Sequence, residues 1–298
     1  MKKNGMTSVD AIHNTNIVTR NLDINRSKIN SQRISSHLFG ISDEASTGKI
    51  ISLISVLVLV LVWQIVVTTR LIPSDILPSP IIILDTLYKY SFNRYAGYTL
   101  WENLGVSLVR IYTSFLAAVI SGVIIGIAMG ISNIINKIIS PFVEFFRPLP
   151  PLAYLPYMIV VLGIGETEKV VLIYLSMLAP VIIASRSGAL SVPRESIHMA
   201  YSMGANKWQI LTKVILRYSL PYIVSGIRIA LGFGWVTLVA AEMIGANRGI
   251  GHMIFYAGDF VQMNIVMTGI ILLGVSAMVG DYVIRHATRT FISWSYNS

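Results

Sequence analysis

The sequence predicts an all-α, polytopic membrane protein with about six transmembrane helices. Its 298 residues are 54% hydrophobic and only 12% charged, whereas a soluble domain carries about twice that charged fraction. Several apolar runs approach the roughly 20 residues that a helix needs to cross a bilayer. The runs lack the short alternating segments of a membrane β-barrel, so helices are the expected spanning elements.

The positive charge is distributed unevenly along the chain. The net charge is +9 at pH 7, and the excess lies in the N-terminal tail and in a central loop between two apolar runs. From Arg186 to Arg217 this loop holds five basic residues against one acid. That is the positive-inside pattern of a membrane protein rather than a nucleic-acid surface. With six spans, both termini and the central loop are expected on the cytoplasmic side.

The chain is predicted to contain a tail and one membrane domain. Residues 1–49 form a cytoplasmic tail, and residues 50–294 form the transmembrane domain, with a central loop at 186–219. A proline-rich exit follows the first span, since proline breaks helices, and residues 81–90 then form a short helix outside the membrane. The predicted spans are residues 50–69, 104–131, 139–163, 170–185, 220–244 and 265–284.

Two spans have distinctive patterns. The second carries a small residue at every fourth position from Ser114 to Gly130, which predicts close approach of another helix. The third contains five prolines and cannot be one regular helix. A broken helix at membrane depth is tolerated only against protein or a water-filled cavity. Within it, Glu144 and Arg147 are three residues apart, and the pair is either functional or a structural ion pair at the interface.

Residue patterns that would indicate catalysis are missing from the sequence. There is no phosphate-binding loop, no nucleophile elbow, and no histidine pair at metal-ligand spacing. The absence of cysteine excludes disulfides and cysteine-ligated metals. We therefore interpret the chain as non-catalytic, so the energy for any uphill transport would come from a partner or an ion gradient.

The central loop has helical periodicity of its own. Ile197, Ala200 and Gly204 fall on one face, and glycine permits a sharp turn at 204. The run from His198 to Ala205, with Leu220–Pro221 downstream, resembles the EAA loop of the membrane subunits of bacterial ATP-binding-cassette (ABC) importers. Gly204 and the preceding Ala200 match that pattern, while His198 stands where the family glutamate often is.

Three further stretches narrow the resemblance. Residues 147–175 (RPLPPLAYLPYMIVVLGIGETEKVVLIYL), 231–251 (LGFGWVTLVAAEMIGANRGIG) and 257–260 (AGDF) are similar to the nitrate/sulfonate/taurine branch of these permeases. The resemblance implies the type I (MetI-like) permease fold and import of a small sulfonate, taurine first. The alternatives are another substrate of the family (alkanesulfonate, nitrate or bicarbonate), an ion-coupled secondary transporter, a channel or a vitamin-importer component. A secondary transporter would need broken helices in repeated halves, and only the third span is clearly broken.

The resemblance also implies partners. Two copies of an ATPase subunit would use ATP and Mg, while this chain would bind no cofactor or metal itself. A periplasmic or lipid-anchored binding protein would deliver substrate to a pathway formed with a second copy of the chain, in the bacterial inner membrane. No nucleic acid is expected to bind.

The same resemblance suggests roles for individual residues. The residues expected to couple to the ATPase are His198, Ala200, Met203, Gly204, Ala205 and Lys207. The candidates for the pathway or gate are Glu144, Arg147, Tyr154, Arg228, Trp235, Thr237 and Glu242. Arg228 suits an interfacial charge equally well, Trp235 suits a core aromatic, and Glu242 suits either an outer gate or a docking contact. Glu166 and Arg248 are candidates for docking the binding protein, or are plain loop charges.

Overall fold

The computed structural model of the chain describes residues 45–73 and 75–291. Most of the predicted tail, up to residue 44, and residues 292–294 of the predicted membrane domain lie outside this range. The described helices are α1 (Ala45–Thr68), α2 (Pro80–Phe92), α3 (Leu100–Ile131), α4 (Asn133–Phe146), α5 (Pro151–Leu162), α6 (Glu166–Leu190), α7 (Arg194–Ser202), α8 (Lys207–Gln209), a π-helix (Ile210–Ile215), α9 (Leu216–Met243), α10 (Ile250–Asp259) and α11 (Met263–Phe291).

The chain divides into two units, residues 1–62 and residues 63–298. In the first unit, the described residues form most of α1, and its run of Ile, Leu and Val places apolar side chains on every face of the helix. All other described helices belong to the second unit.

The described helices include five that are long and apolar enough to cross a bilayer. The pair α4 and α5 would form a sixth, broken span, bent by 102°. The break falls at Arg147–Pro150, because Pro148, Pro150 and Pro151 lack the amide hydrogens that would continue the helix. The five helices cover Ile50–Thr68, Leu100–Ile131, Glu166–Leu190, Lys207–Met243 and Met263–Thr288.

The helices differ by several residues from the predicted spans. The predicted 170–185 span begins at Glu166, where two acids in the first turn suit the positive end of the helix dipole. The predicted 220–244 span is part of a longer helical segment that begins at Lys207. Pro221 lies inside α9 and does not end the helix. Between the predicted 220–244 and 265–284 spans the chain forms a further helix, α10.

Helix α6 forms the centre of the second unit, with α3 packed on one side and α9 on the other. Small residues allow this close packing. A Cβ atom at Gly126 of α3 would lie only 2.5 Å from the carbonyl oxygen of Ile182 in α6, and a Cβ at Gly226 of α9 would collide with Ala184. The core around α6 consists of fully buried apolar side chains, among them Ile111, Ala118, Ile173, Met177, Val181, Ala230 and Leu238.

The bundle has two ends. The Gly204 end carries residues 191–206, and a smaller apolar cluster there joins Ile127 of α3 to Ile210 and Ile215. The Glu242 end carries the starts of α3, α6 and α11 together with α10, and it is held by polar contacts described below.

Candidate functional site

Helix α7 is amphipathic at the Gly204 end. Its half-buried Ile197 and Ala200 pack against the cluster that contains Ile210 and Ile215. Three large apolar side chains in α7, at its C-cap and in the helix that follows are exposed. The exposed fractions are 62% for Met199, 83% for Met203 and 69% for Trp208. We call Met199, Met203 and Trp208 the exposed coupling face.

The turn after α7 closes through its own backbone. Gly204 has φ = +78°, a conformation that glycine adopts at low cost. This lets the Ala205 amide donate to the carbonyl of Ala200 at 3.0 Å and the Gly204 amide donate to the carbonyl of Tyr201 at 2.9 Å, a Schellman-type helix end. His198 and Lys207 are exposed beside the turn, and Ala205 is half-buried.

A capping box starts the helix that follows. The Gln209 amide donates to Asn206 Oδ1 at 2.8 Å, and the Asn206 amide donates to Gln209 Oε1 at 2.9 Å. The backbone amides of Asn206 and Gln209 are thereby both hydrogen-bonded within the turn. The segment from Ala200 to Gln209 therefore keeps a defined shape while the exposed coupling face remains open.

The π-helix sets the rotation between this segment and α9. Its Leu216 amide donates to the carbonyl of Leu211, five residues back. At about 4.4 residues per turn, Ile210 and Ile215 lie about 50° apart around the axis, whereas α-helical geometry would separate them by about 140°. Both side chains are consequently buried in the same cluster, with 4% and 8% of their surfaces exposed.

A cavity of about 1190 Å³ lies between the α4–α5 elbow, α6 and α9. Its walls are mostly apolar, and a few polar groups are set among them. Of the predicted pathway residues, the cavity brings together Arg147, Tyr154 and Thr237. The other polar side chains in its wall include Tyr157, Ser176, Ser187, Tyr222 and Ser225.

The remaining pathway candidates lie elsewhere. Glu144 is exposed, and the described ion pairs do not include one between Glu144 and Arg147. Arg228 donates to Asp281 of α11 at 2.9 Å. Trp235 is buried in the main core with 8% of its surface exposed, and its indole N–H has no hydrogen-bond partner among the described residues.

Glu242 is completely buried at the end of α9. Its carboxylate accepts hydrogen bonds from Ser107 Oγ at 2.7 and 2.9 Å, from Arg110 Nη1 at 2.8 Å and from the Gly251 amide at 2.8 Å. Ser107 Oγ in turn accepts from the Ile250 amide at 2.9 Å. A buried carboxylate survives only with such partners, so Glu242 ties α3 to the start of α10.

Arg110 connects three parts of the Glu242 end. Besides Glu242, it donates to both carboxylate oxygens of Glu166 at 2.7 and 2.5 Å and to the carbonyl of Arg248 at 2.8 Å. Only 2% of the Arg110 side chain is exposed, against 67% for Glu166. The Arg248 guanidinium lies 4.3 Å from the ring centroid of Tyr98. The two docking candidates, Glu166 and Arg248, thus form the rim of a buried ionic cluster.

A second buried pair lies close by. Lys169 Nζ donates to the carbonyls of Gly165 at 2.9 Å and Gly245 at 3.2 Å, and to Glu168 at 3.2 Å. Lys169 therefore fastens the loop after α9 to the start of α6. The other Glu168 oxygen, Oε1, is buried without a hydrogen-bond partner in the described part of the chain.

Arg110 and Lys169 are functional candidates that sequence reasoning missed. Arg110 lies inside the predicted 104–131 span, where a single charge among apolar residues is itself a reason to suspect a role. Lys169 lies one residue before the predicted 170–185 span, where a charged residue is common and carries no such signal. Among the described residues, no group of three or more His, Asp or Glu side chains is arranged to hold a metal ion.

Comparisons with known proteins agree with this architecture. Residues 118–292 match the family described as "Binding-protein-dependent transport system inner membrane component". The chain is 42% identical over 238 residues to the taurine transport system permease protein TauC of Escherichia coli K12, covering 80% of this chain and 86% of TauC. It is 33% identical over 237 residues to the putative aliphatic sulfonates transport permease protein SsuC of the same strain, covering 80% and 89%.

A solved structure supports the fold. A chain of the inward-facing MetNI methionine ABC transporter superposes with a TM-score of 0.57 at 21% identity, covering 64% of this chain and 95% of that one. Membership of the matched family implies an ATPase and a substrate-binding protein as partners. The long apolar helices agree with a multi-pass inner-membrane protein. The chain belongs to the binding-protein-dependent inner-membrane components, as an ABC importer permease of the nitrate/sulfonate/taurine family with the MetI-like fold.

Proposed function

We propose that this chain is the membrane subunit through which an ATP-driven importer moves a small sulfonate, taurine first, across the inner membrane. The observation that carries the proposal is the exposed coupling face, which is held at one end of the bundle by a self-satisfied turn. Exposed apolar side chains on a short amphipathic helix and on the turn that follows it suit insertion into a groove of another protein. We assign this groove to the ATPase subunit.

The coupling contact involves the turn as well as the exposed coupling face. His198, Ala200, Gly204, Ala205 and Lys207 surround the same surface and complete the predicted EAA loop. Each of two copies of the chain docks one ATPase subunit, which binds the ATP and Mg, and the chain itself binds no cofactor. Closure of the ATPase pair then moves the two α7 helices together and opens the pathway outwards, a rigid-body switch between two arrangements.

The docking assignment is tested at Gly204. Asparagine tolerates φ > 0, whereas proline is fixed near φ = −65°, and a Cβ atom at this position meets nothing within 4 Å. We expect Gly204→Pro to insert in the membrane but to lose ATPase association and uptake, while Gly204→Asn keeps both. Undiminished co-purification of the ATPase with Gly204→Pro would show that the turn is not the docking element.

The cavity beside the α4–α5 elbow is one half of the proposed pathway. A second copy of the chain covers its open side, and Arg147 attracts the sulfonate while Tyr154 and Thr237 supply weak polar contacts. Arg228, Trp235 and Glu144 lie outside this lining, so we propose no substrate contact for them. Glu242 braces the gate from within the buried ionic cluster.

The orientation follows from the charge distribution. The basic loop and both termini lie in the cytoplasm, which places the Glu242 end outside. Glu166 and Arg248 there face the periplasmic or lipid-anchored binding protein. A contact to the exposed Glu166 would compete with Arg110 for the same carboxylate, and this links docking to the buried cluster.

The substrate is tested by growth. Under sulfur limitation, a strain that lacks this chain should not grow with taurine as the sulfur source, and a plasmid copy of the gene should restore growth. Growth on longer alkanesulfonates should change little. Equal defects on every sulfonate would refute taurine selectivity and favour an alkanesulfonate permease. A defect in nitrate or bicarbonate uptake would favour those substrates. Uptake that survives loss of the ATPase but stops with an uncoupler would indicate an ion-coupled transporter.

A further inference from the structure

Helix α2 is anchored firmly through one face. Ser79 caps it by accepting from the Ile82 amide at 3.3 Å, and Pro80 begins it. Ile83 and Thr86 are buried, with 4% and 3% of their surfaces exposed. Thr86 Oγ1 accepts from Asn264 at the start of α11 at 3.3 Å. These contacts fix the position of α2 beside the Glu242 end of the bundle.

The opposite face of α2 carries an apolar stripe. Its members are spaced three, four and four residues apart and are 66–74% exposed: Ile81, Leu84, Tyr88 and Phe92. At 100° per residue they occupy an arc of about 80°, centred roughly opposite the buried face. Tyr88 and Phe92 also contact each other edge to face, with ring centroids 5.5 Å apart.

The position of α2 in the chain indicates what covers this stripe. In the sequence, α2 follows one candidate span, α1, and precedes another, α3. In the structure, α2 contacts the first turn of a third candidate span, α11. Its 13 residues extend about 20 Å, too short to cross a bilayer of about 30 Å. A short amphipathic helix at the level where spans end, with a tyrosine and a phenylalanine on its free face, fits the membrane interface.

Two neighbouring features agree with a lipid surface rather than a protein. Helix α3, on which α2 packs, also exposes large apolar side chains near its start, with 52% of Trp101 and 64% of Val109 exposed. The stripe is bordered by one acid and one base, Asp85 and Lys89. It therefore carries no net charge that would select an acidic or basic protein partner.

We propose that α2 is an interfacial anchor, with its Ile81–Phe92 stripe buried at the boundary between headgroups and acyl chains of one leaflet. Because the stripe has no net charge, this contact requires no anionic lipid. The anchor fixes how deep the Glu242 end of the bundle lies, and with it the depth of the ionic cluster around Arg110.

The test measures depth directly on the full-length protein. Because the chain has no cysteine, Tyr88→Cys and Leu84→Cys each introduce a single thiol for a nitroxide label, and Lys89→Cys is the matched position on the polar flank. The protein is reconstituted in vesicles of phosphatidylcholine, alone or mixed with phosphatidylglycerol. We expect oxygen to relax the labels at 84 and 88 more than a water-soluble nickel chelate does, and the reverse at 89, in both lipids.

Other outcomes would overturn the proposal. Stronger relaxation by nickel than by oxygen at 84, 88 and 89 would place the stripe in water. Immobile labels at 84 and 88 that neither reagent reaches would mean that protein covers it. If this protection appears only after adding the binding protein, the stripe is a docking surface and not an anchor. If oxygen relaxes the labels at 84 and 88 only in vesicles that contain phosphatidylglycerol, the stripe requires anionic lipid, which contradicts the proposal.

Discussion

Replacing Arg110 by glutamine should be one of the most destabilising single changes at the Glu242 end. The substitution removes four hydrogen bonds, three to carboxylate oxygens and one to the Arg248 carbonyl. Glu166 is largely exposed and can turn to water, but Glu242 is fully buried and keeps only Ser107 and the Gly251 amide. Breaking a buried ion pair from one side costs about 3–5 kcal/mol.

An exposed ion pair provides the control. Asp281 forms ion pairs with Arg228 and Arg285, and about a third of its side chain is exposed. Such exposed pairs contribute about 0–1 kcal/mol to the free energy of unfolding. Thermal unfolding of purified variants in detergent should therefore show a much larger loss for Arg110→Gln than for Asp281→Asn. Equal losses would refute the assignment of Arg110 and Glu242 as a buried, mutually dependent pair.

A double variant separates lost charge from lost packing. In Arg110→Gln/Glu242→Gln, a neutral amide replaces the buried carboxylate that Arg110→Gln alone leaves without its cation. The double variant should therefore be more stable than Arg110→Gln alone. If the double variant is less stable than the single one by the full cost of Glu242→Gln, the two residues act independently.

Two further predictions concern helix geometry. Deleting Lys213 should convert the π-helix to α-helix, and four α-helical steps would then place Ile210 and Ile215 about 40° apart, close to the about 50° across the π-helix. We therefore expect normal membrane insertion and uptake for the deletion and for Lys213→Ala in a transport assay. Inserting one alanine after Lys213 should instead turn the exposed coupling face by about 80–100° relative to α9 and abolish uptake; unchanged uptake after the insertion would contradict the proposed role in phasing. Gly126→Ala should cost about 1–3 kcal/mol in thermal unfolding because its Cβ meets the α6 backbone, whereas Gly232→Ala, with nothing within 4 Å, should be neutral or stabilising; equal effects would contradict the α3–α6 contact.

Features encoded by local pattern could be predicted from the sequence. The small residues of α3 predict a close neighbour, and the structure identifies this neighbour as α6 at Gly126. Clustered prolines predict a broken third span, and the helix breaks between Arg147 and Pro150. A glycine in a polar helical loop predicts a turn at Gly204, where φ is positive.

Contacts between residues distant in the chain could not be predicted in this way. Arg228 and Asp281 are 53 positions apart, and Arg110 and Glu242 are 132 apart, so neither pair has a local pattern. The π-helix is also invisible to a search at 100° per residue, because it shifts the apolar period within six residues. The pathway candidates that line the cavity and those that do not both include an arginine and an aromatic residue. Residue type alone therefore could not show which candidates face the cavity.

The elbow between α4 and α5 also determines which backbone atoms are free to meet a solute. Pro151 carries no amide hydrogen, so the carbonyl oxygen of Arg147 lacks the donor that an α-helix normally supplies four residues later. Arg147 and the elbow prolines line the cavity. The hydrogen-bonding capacity beside this largely apolar wall is thus greater than its side chains suggest, because the backbone of Arg147 adds an acceptor to the donors of its guanidinium.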